Sequence, residues 1–523
     1  MRLLDELQTV ATVNQAENHD IMGQTKPIAL FLSASVEATM KPMTRRELLR
    51  DAAMLCLGLG GAWALGSCKE RVVEVEKVVE VEKEVTKLVR EIIRETVVVE
   101  KTRGSERTVE RIATAPPGPR PKAVVVADVT SYGWTRFGTL MSPAFEEMFP
   151  HITVKWRGIY GWHSYPDAIA SLYSSGELGD LVEGPPGTLL AKWANSGIIR
   201  PIDDVFSADG FEQSGIFRGA MSACLYQGQH VALPFIAHAG ENVLLYNSSM
   251  FDHAGLDYPN ANWTLDNLRK AGIALTQDRD GDGKIDRFGC GVRYDLPGAY
   301  PMLHLFRASL FSKDGRRCIV DGENGVACLR WAHSLLHDYH LAPPPIRIER
   351  GMMEMFRTGS LATLRHSFRA FVELRRIAQQ PGQVRGALLP RHPETGNLGT
   401  LASGMAYCIT QKSEIPLEAF QWMKFMSSRE MGVQMFLGDY AQPGCRMASW
   451  KDPRILESFP ICAQVADAAD TAEVEQLPWN LRTSECLAAW RKGIALLLAG
   501  DTTPDECAKL LTRDVNKVLA LPR

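Results

Sequence analysis

The chain has 523 residues, 45% hydrophobic and 23% charged, with a net charge of −3. A near-neutral balance without a run of Lys and Arg leaves no phosphate track and argues against a nucleic-acid partner. Eleven Cys are present without a CxxC pair, which argues against a zinc site or a thioredoxin-like motif.

Residues before Thr44 show no periodicity, and Met43 directly precedes Thr44-Arg45-Arg46-Glu47-Leu48-Leu49-Arg50. Translation is therefore expected to start at Met40 or Met43. The uncharged stretch Ala52–Leu65 is about fourteen residues long, too short for a bilayer, which needs roughly twenty. It has the length of a signal-peptide apolar region. The Arg pair resembles a twin-arginine export signal. Leu65-Gly66-Ser67-Cys68 resembles a lipobox, which implies lipidation at Cys68 and a body held at the extracytoplasmic face of the membrane or in the periplasm.

From Val72 to Ile112 the composition turns to Val, Glu, Lys and Arg, and Val-Glu-Val-Glu-Lys occurs twice. Val78, Val81, Val85, Leu88 and Ile92 keep a three-four spacing that forms one helical stripe. The same text alternates in twos and suits an extended chain. Either way it reads as a stalk, self-associating or simply solvated. Ala115-Pro116-Pro117-Gly118-Pro119-Arg120-Pro121 ends it as a stiff linker.

The body from Pro121 onward, about 400 residues, is too long for one ordinary core and suggests two lobes. Ala123–Val129 reads as a buried strand, 143–150 as a helix end, and His151–Trp156 as the next strand. Tyr165–Tyr173 reads as a helix, Leu181-Val182 as a short strand, and Leu189–Asn195 as a helix closed by Gly197. Strand-helix alternation predicts α/β lobes with mainly parallel sheets.

Several segments, in this order, resemble the ABC-importer solute-binding family that contains maltose-binding protein. Ser175–Val182 resembles its "small-Gly-x-x-Pro-Asp-Val" segment, with Gly179 at the Pro. Trp193–Asp203 resembles the next helix and its exit. Val231–Pro234 and Leu245-Tyr246-Asn247 resemble the first lobe crossover and the strand after it. Ala254–Asp257, then Trp263–Leu268 with Thr264 as N-cap, resemble a helix start. Phe356–Ala362, Leu388-Leu389-Pro390, Pro416–Met426 and Thr503–Ala508 continue the series.

The resemblance implies a two-lobed, type II periplasmic-binding-protein-like fold. Leader and stalk take 1–68 and 69–120. One lobe takes 121–235 with 383–440, the other 236–380 with 441–523. It also implies a non-catalytic receptor that closes on a solute and serves an ABC permease. The alternatives are a secreted carbohydrate-active enzyme, a structural surface protein and a receptor for a non-sugar solute. The chain lacks the Gly-x-Ser-x-Gly, His-Glu-x-x-His and Gly-x-x-x-x-Gly-Lys signatures.

The solute is expected at the C-terminal strand ends. The loop after the first strand carries Tyr132 and Trp134, and the loop after the second carries Tyr160 and Trp162. Aromatic faces stack on the apolar C–H faces of sugar rings, so a carbohydrate is expected. Glu183, Glu241, Arg365 and His366 are the polar candidates. Trp156, Trp263 and Trp331 are assigned to core or surface. Cys318 and Cys328 flank a Gly-containing turn and are either a disulfide or two buried thiols. Asp278, Asp280 and Asp282 reproduce the first half of a calcium loop, but Gly289 stands at the twelfth position. The loop is a calcium site or a solvated turn; no other cofactor is expected.

Overall fold

The computed structural model describes residues 121–523 except 131–132, 160, 162–163, 238–242, 292–295, 345–348, 379–380, 400, 403, 439, 471–472 and 475–476. The side chains of 133–136, 296–299, 349–350, 381, 401–402 and 473–474 are likewise outside the description. The leader with Cys68, the stalk, and Tyr132, Tyr160, Trp162 and Glu241 lie outside the described residues. So does the side chain of Trp134.

Nine strands build two sheets. In chain order they are β1 (Ala123–Thr130), β2 (Ile152–Ile159), β3 (Leu181–Gly184), β4 (Leu233–Ala237), β5 (Val243–Asn247), β6 (Phe288–Gly291), β7 (Leu361–His366), β8 (Val384–Leu388) and β9 (Gly404–Ile409). The first sheet runs β2-β1-β3-β9-β4, and the second runs β8-β5-β7-β6. In the first sheet β1, β2 and β3 are parallel, from Ala123↔Ile152 to Thr130↔Ile159 along the β1–β2 pair. Strand β9 runs antiparallel between β3 and β4. In the second sheet β5 runs antiparallel to β8 and β7, while β6 and β7 are parallel.

β1 is rich in β-branched Val, and Val125, Ala127 and Val129 are fully buried, as a strand covered on both faces requires. The strands and helices read from the sequence between Ala123 and Asn195 form. The strand expected over 151–156 extends to Ile159, and the helix from Tyr165 extends to Ser175. Thr264 and Thr503 cap their helices in reciprocal boxes with Asn267 and Glu506.

Gly179 stands where the resembling family has Pro, and the fold supplies a reason. Its backbone N–H donates to Asp128 Oδ2 at 2.7 Å, which a Pro cannot do. A Cβ there would lie 2.5 Å from the Val126 carbonyl oxygen. Asp128 is itself buried and held by the Arg157 guanidinium, so one carboxylate ties β1 to β2 and to the turn before β3.

The expected lobe boundary at 383 is displaced. The sequence assigns Val384–Leu388 to the first lobe, but it pairs with β5 from Val384↔Asn247 to Leu388↔Val243 and so belongs to the second sheet. Its Val, Ala and Leu cover the edge of that sheet before the chain crosses back. Likewise β4 carries the first lobe on to Ala237. Cys318 and Cys328 are both buried and free, and so are the other seven described cysteines.

One core runs between the sheets. The helix Phe368–Ile377 follows β7, and the helix Arg429–Leu437 follows Pro416–Met426, which packs on β1, β4 and β9. Phe368 meets Phe436 at 6.1 Å and Trp450 at 5.2 Å, and Phe459 meets Phe371 at 5.6 Å and Phe436 at 5.4 Å. The helices Glu323–His337, Thr483–Ala499 and Pro504–Leu519 form a second core beside Cys290 of β6. Trp263 is buried and Trp156 packs on Trp422 at 4.9 Å, both core residues as expected; Trp331 packs, partly buried, on the second core. Among the described residues no helix is long and apolar enough to cross a membrane.

Candidate functional site

Two connections join the sheets: Ala237 to Val243 and Leu388 to Gly404. The first spans only positions 238–242, so the C-terminal end of β4 lies close to the start of β5. Val243 pairs with both Leu388 and His366, which brings the C-terminal ends of β7 and β8 to this side. In the first sheet the C-terminal ends of β1 and β3 share the side of Ala237, because β4 and β3 both run against β9. The carboxyl ends of both sheets therefore border the crossovers, the place where α/β sheets hold ligands.

The strands that precede the aromatic positions end at that border. Thr130 ends β1, and the helix Gly133–Met148 begins three residues later. Trp134 is thus in a first helical turn rather than in a loop. Tyr160 and Trp162 lie between β2 and the helix Tyr165–Ser175.

Glu183 is inside β3, not after it, and is fully buried opposite Tyr407 of β9. Its Oε1 accepts from the Thr130 N–H at 2.8 Å and from the Thr130 hydroxyl. Its Oε2 is buried and has no hydrogen-bond partner among the described residues. Burial pushes the carboxyl up to about 8, against the two Thr130 bonds that favour the charged form. Tyr165 donates to the Asp128 carbonyl at 2.7 Å and accepts from the Glu183 N–H at 3.1 Å. Burial, then the Glu183 charge, hold the Tyr165 and Tyr407 phenols well above their usual range. Glu183 is therefore a buried clamp on the end of β1 beneath the border, not an exposed ligand group.

Arg365 is also buried, on the side of β7 that faces Trp331 and Leu335 of the second core. His366 is half-buried at the strand end, where its Nδ1 accepts from the Ser367 N–H at 2.9 Å. Of the described polar candidates, only His366 combines partial exposure with a place at the border.

Beside the shared core, side-chain contacts among the described residues also join the lobes. Thr188, at the start of the helix after β3, donates its hydroxyl to Thr483 Oγ1 at 2.7 Å. Thr483 opens the helix that packs in the second core. Arg218 pairs with Asp470 at 3.1 Å. Sequence reasoning missed the Thr pair. Its only local signal is a Thr directly after Gly187, since nothing in the text connects it to a residue near the far end of the chain.

The Asp-rich loop is exposed. One oxygen each from Asp278, Asp280 and Asp286 lies within 4.8 Å of the others, so Asp286 rather than Asp282 completes the group. Asp282 turns to the Lys284 amine at 3.1 Å. Both Asp278 oxygens accept backbone N–H groups, from Gly281 at 2.7 Å and Gly283 at 2.8 Å, and this holds the carboxyl below its usual range.

Residues 134–334 match the family model described as bacterial extracellular solute-binding protein. Solved structures align over most of the chain. The sugar-binding protein MalE of Xanthomonas citri has a TM-score of 0.65 at 16% identity, covering 76% of this chain and 97% of its own. The ABC substrate-binding protein Lmo0181 of Listeria monocytogenes, in complex with cycloalternan, has 0.63 at 18%, covering 76% and 100%. The fold is that of a bacterial extracellular solute-binding protein. The GacH receptor of Streptomyces glaucescens, solved without ligand and with acarbose, agrees at 0.61 and 19%, covering 77% and 100%. No curated protein sequence matches the chain. The family model and these structures describe binding proteins rather than enzymes. The solute-binding fold makes the border between the carboxyl strand ends the candidate cleft.

Proposed function

We propose that the chain is an extracytoplasmic receptor that captures a carbohydrate between its lobes and delivers it to an ABC permease. The observation that carries this reading is the pair of crossovers that sets the carboxyl ends of two sheets side by side, in a fold shared with sugar-binding receptors. Tyr132, Trp134, Tyr160 and Trp162 follow the first two strands of that border and supply stacking faces for sugar rings. His366 and Glu241 supply hydrogen bonds. The solute shifts an open-closed equilibrium by touching both lobes. Calorimetry with mono- and oligosaccharides, polyamines and oligopeptides tests the solute class. Saturable binding of a sugar supports it, and binding of a charged non-sugar alone removes it.

Anchoring through Cys68 and export through Arg45-Arg46 belong to the same proposal, supported by the order of charge, apolar run and Cys. Cys68→Ala then releases the body from the membrane fraction or leaves it unprocessed. Calcium at the Asp278, Asp280 and Asp286 loop is the remaining proposal, supported by the convergence of their oxygens.

A further inference from the structure

The second lobe has a hollow at the end of its sheet away from the crossovers. Asn247 pairs with Val384 at that end, opposite the Val243↔Leu388 end that borders the cleft. Asn247, His253, Gln277, Arg279 and Arg287 are among the residues lining about 470 Å³ of space, and no Asp or Glu is in its described wall.

Arg287 is partly buried. Its Nε donates to the Gly359 carbonyl at 3.3 Å and its Nη1 to Gln277 Oε1 at 3.1 Å. These bonds fix the guanidinium and leave the two Nη2 N–H groups without a partner among the described residues. Arg279 is exposed, and its side chain has no hydrogen bond or ion pair among the described residues. Burial, then the Arg279 charge, pull Arg287 below the usual guanidinium value, so the two cations sense each other. His253 donates Nδ1–H to the Ser249 carbonyl at 2.6 Å, which leaves Nε2 free. The carboxylates of the adjoining loop accept backbone amides: Asp278 those of Gly281 and Gly283, and Asp286 that of Arg279.

We infer that this hollow binds a small tetrahedral oxyanion of the phosphate or sulfate type, held between the guanidinium groups of Arg279 and Arg287 with His253 beside them. A guanidinium fixed at Arg287, a second at Arg279 and a wall without carboxylates suit an oxyanion better than a cation. An amide-lined wall with Asn247 and Gln277 suits its remaining oxygens. The site is separate from the solute cleft and does not rest on the carbohydrate reading.

The test is thermal unfolding and calorimetry of the full chain with inorganic phosphate, against chloride at matched ionic strength so that general screening is held constant. The parent is expected to show a saturable rise in melting temperature specific to phosphate. Arg279→Glu, an exposed change that preserves folding, is expected to weaken phosphate binding at least about tenfold, the scale of one lost charge-assisted hydrogen bond. Arg287→Lys keeps the charge, loses the fork, and is expected to weaken it less. A parent response no larger than that to chloride overturns the inference. So does a phosphate response in Arg279→Glu equal to that of the parent. Arg279→Glu alone decides the matter if Arg287→Lys does not fold.

Discussion

The Thr188 hydroxyl donates to Thr483 Oγ1 at 2.7 Å and so joins the first lobe to the opening of a helix in the second. In a two-lobed receptor such a contact favours the closed arrangement. Replacing Thr188 with Val keeps the volume and removes the donor. The expected cost is about 0.5–1.5 kcal/mol of closure, the net worth of one hydrogen bond. Solute affinity then falls by up to about tenfold, and X-ray scattering of the free chain reports a larger radius. An unchanged radius and affinity in Thr188→Val would show that this pair does not latch the lobes.

Glu183 predicts a pH dependence with a definite sign. Its carboxyl titrates near 4.5 in an unfolded chain and at about 8 in the fold. The fold therefore prefers the protonated form. The associated stability is fully present below pH 4.5 and is lost as pH rises towards 8. Glu183→Gln keeps an acceptor for Thr130 and cannot ionise. Denaturant unfolding at pH 5 and pH 8.5 is expected to show a smaller loss across that interval in Glu183→Gln than in the parent. Equal losses in the two proteins would mean that Glu183 is ionised in the fold.

Gly179 predicts strain on substitution. A Cβ at that position meets the Val126 oxygen at 2.5 Å, so Gly179→Ala must displace backbone in the first sheet. The expected cost is roughly 1–3 kcal/mol. Gly179→Pro also removes the donor to Asp128 and is expected to cost more. Denaturant midpoints check the order parent, Ala, Pro, and a Pro variant as stable as the parent would contradict it.

Most of the fold was legible because apolar runs and caps are local. β1, the helix from Tyr165 and the Thr264 and Thr503 caps needed only neighbours in sequence. The site was less so. The apolar run in the sequence stops at Val182 and leaves Glu183 as a polar candidate, while pairing with Tyr407 of β9 carries the strand to Gly184 and buries the carboxyl. Arg365 likewise follows an apolar strand and turns inward, since alternation fixes which face a residue takes but not which face is covered. Val384–Leu388 was placed one lobe too early because its partner Val243–Asn247 is remote in sequence.

The Asp-rich loop predicts a calcium effect. Asp278, Asp280 and Asp286 offer three converging oxygens. Calcium at millimolar concentration is expected to raise the melting temperature above that in equal magnesium, because a selective ion stabilises the state that binds it. Asp280→Asn is expected to abolish the difference. Identical melting in both ions for the parent would leave the loop as a hydrogen-bonded turn.

Carbohydrate capture at the carboxyl strand ends is tested most directly by titrating the parent and Trp162→Ala with the same panel of oligosaccharides in a calorimeter. A sugar is expected to bind the parent saturably and the variant more weakly by about 1–3 kcal/mol, the scale of a lost aromatic contact. Tight binding of a charged non-sugar, with no sugar bound and Trp162→Ala indistinguishable from the parent, would contradict the account.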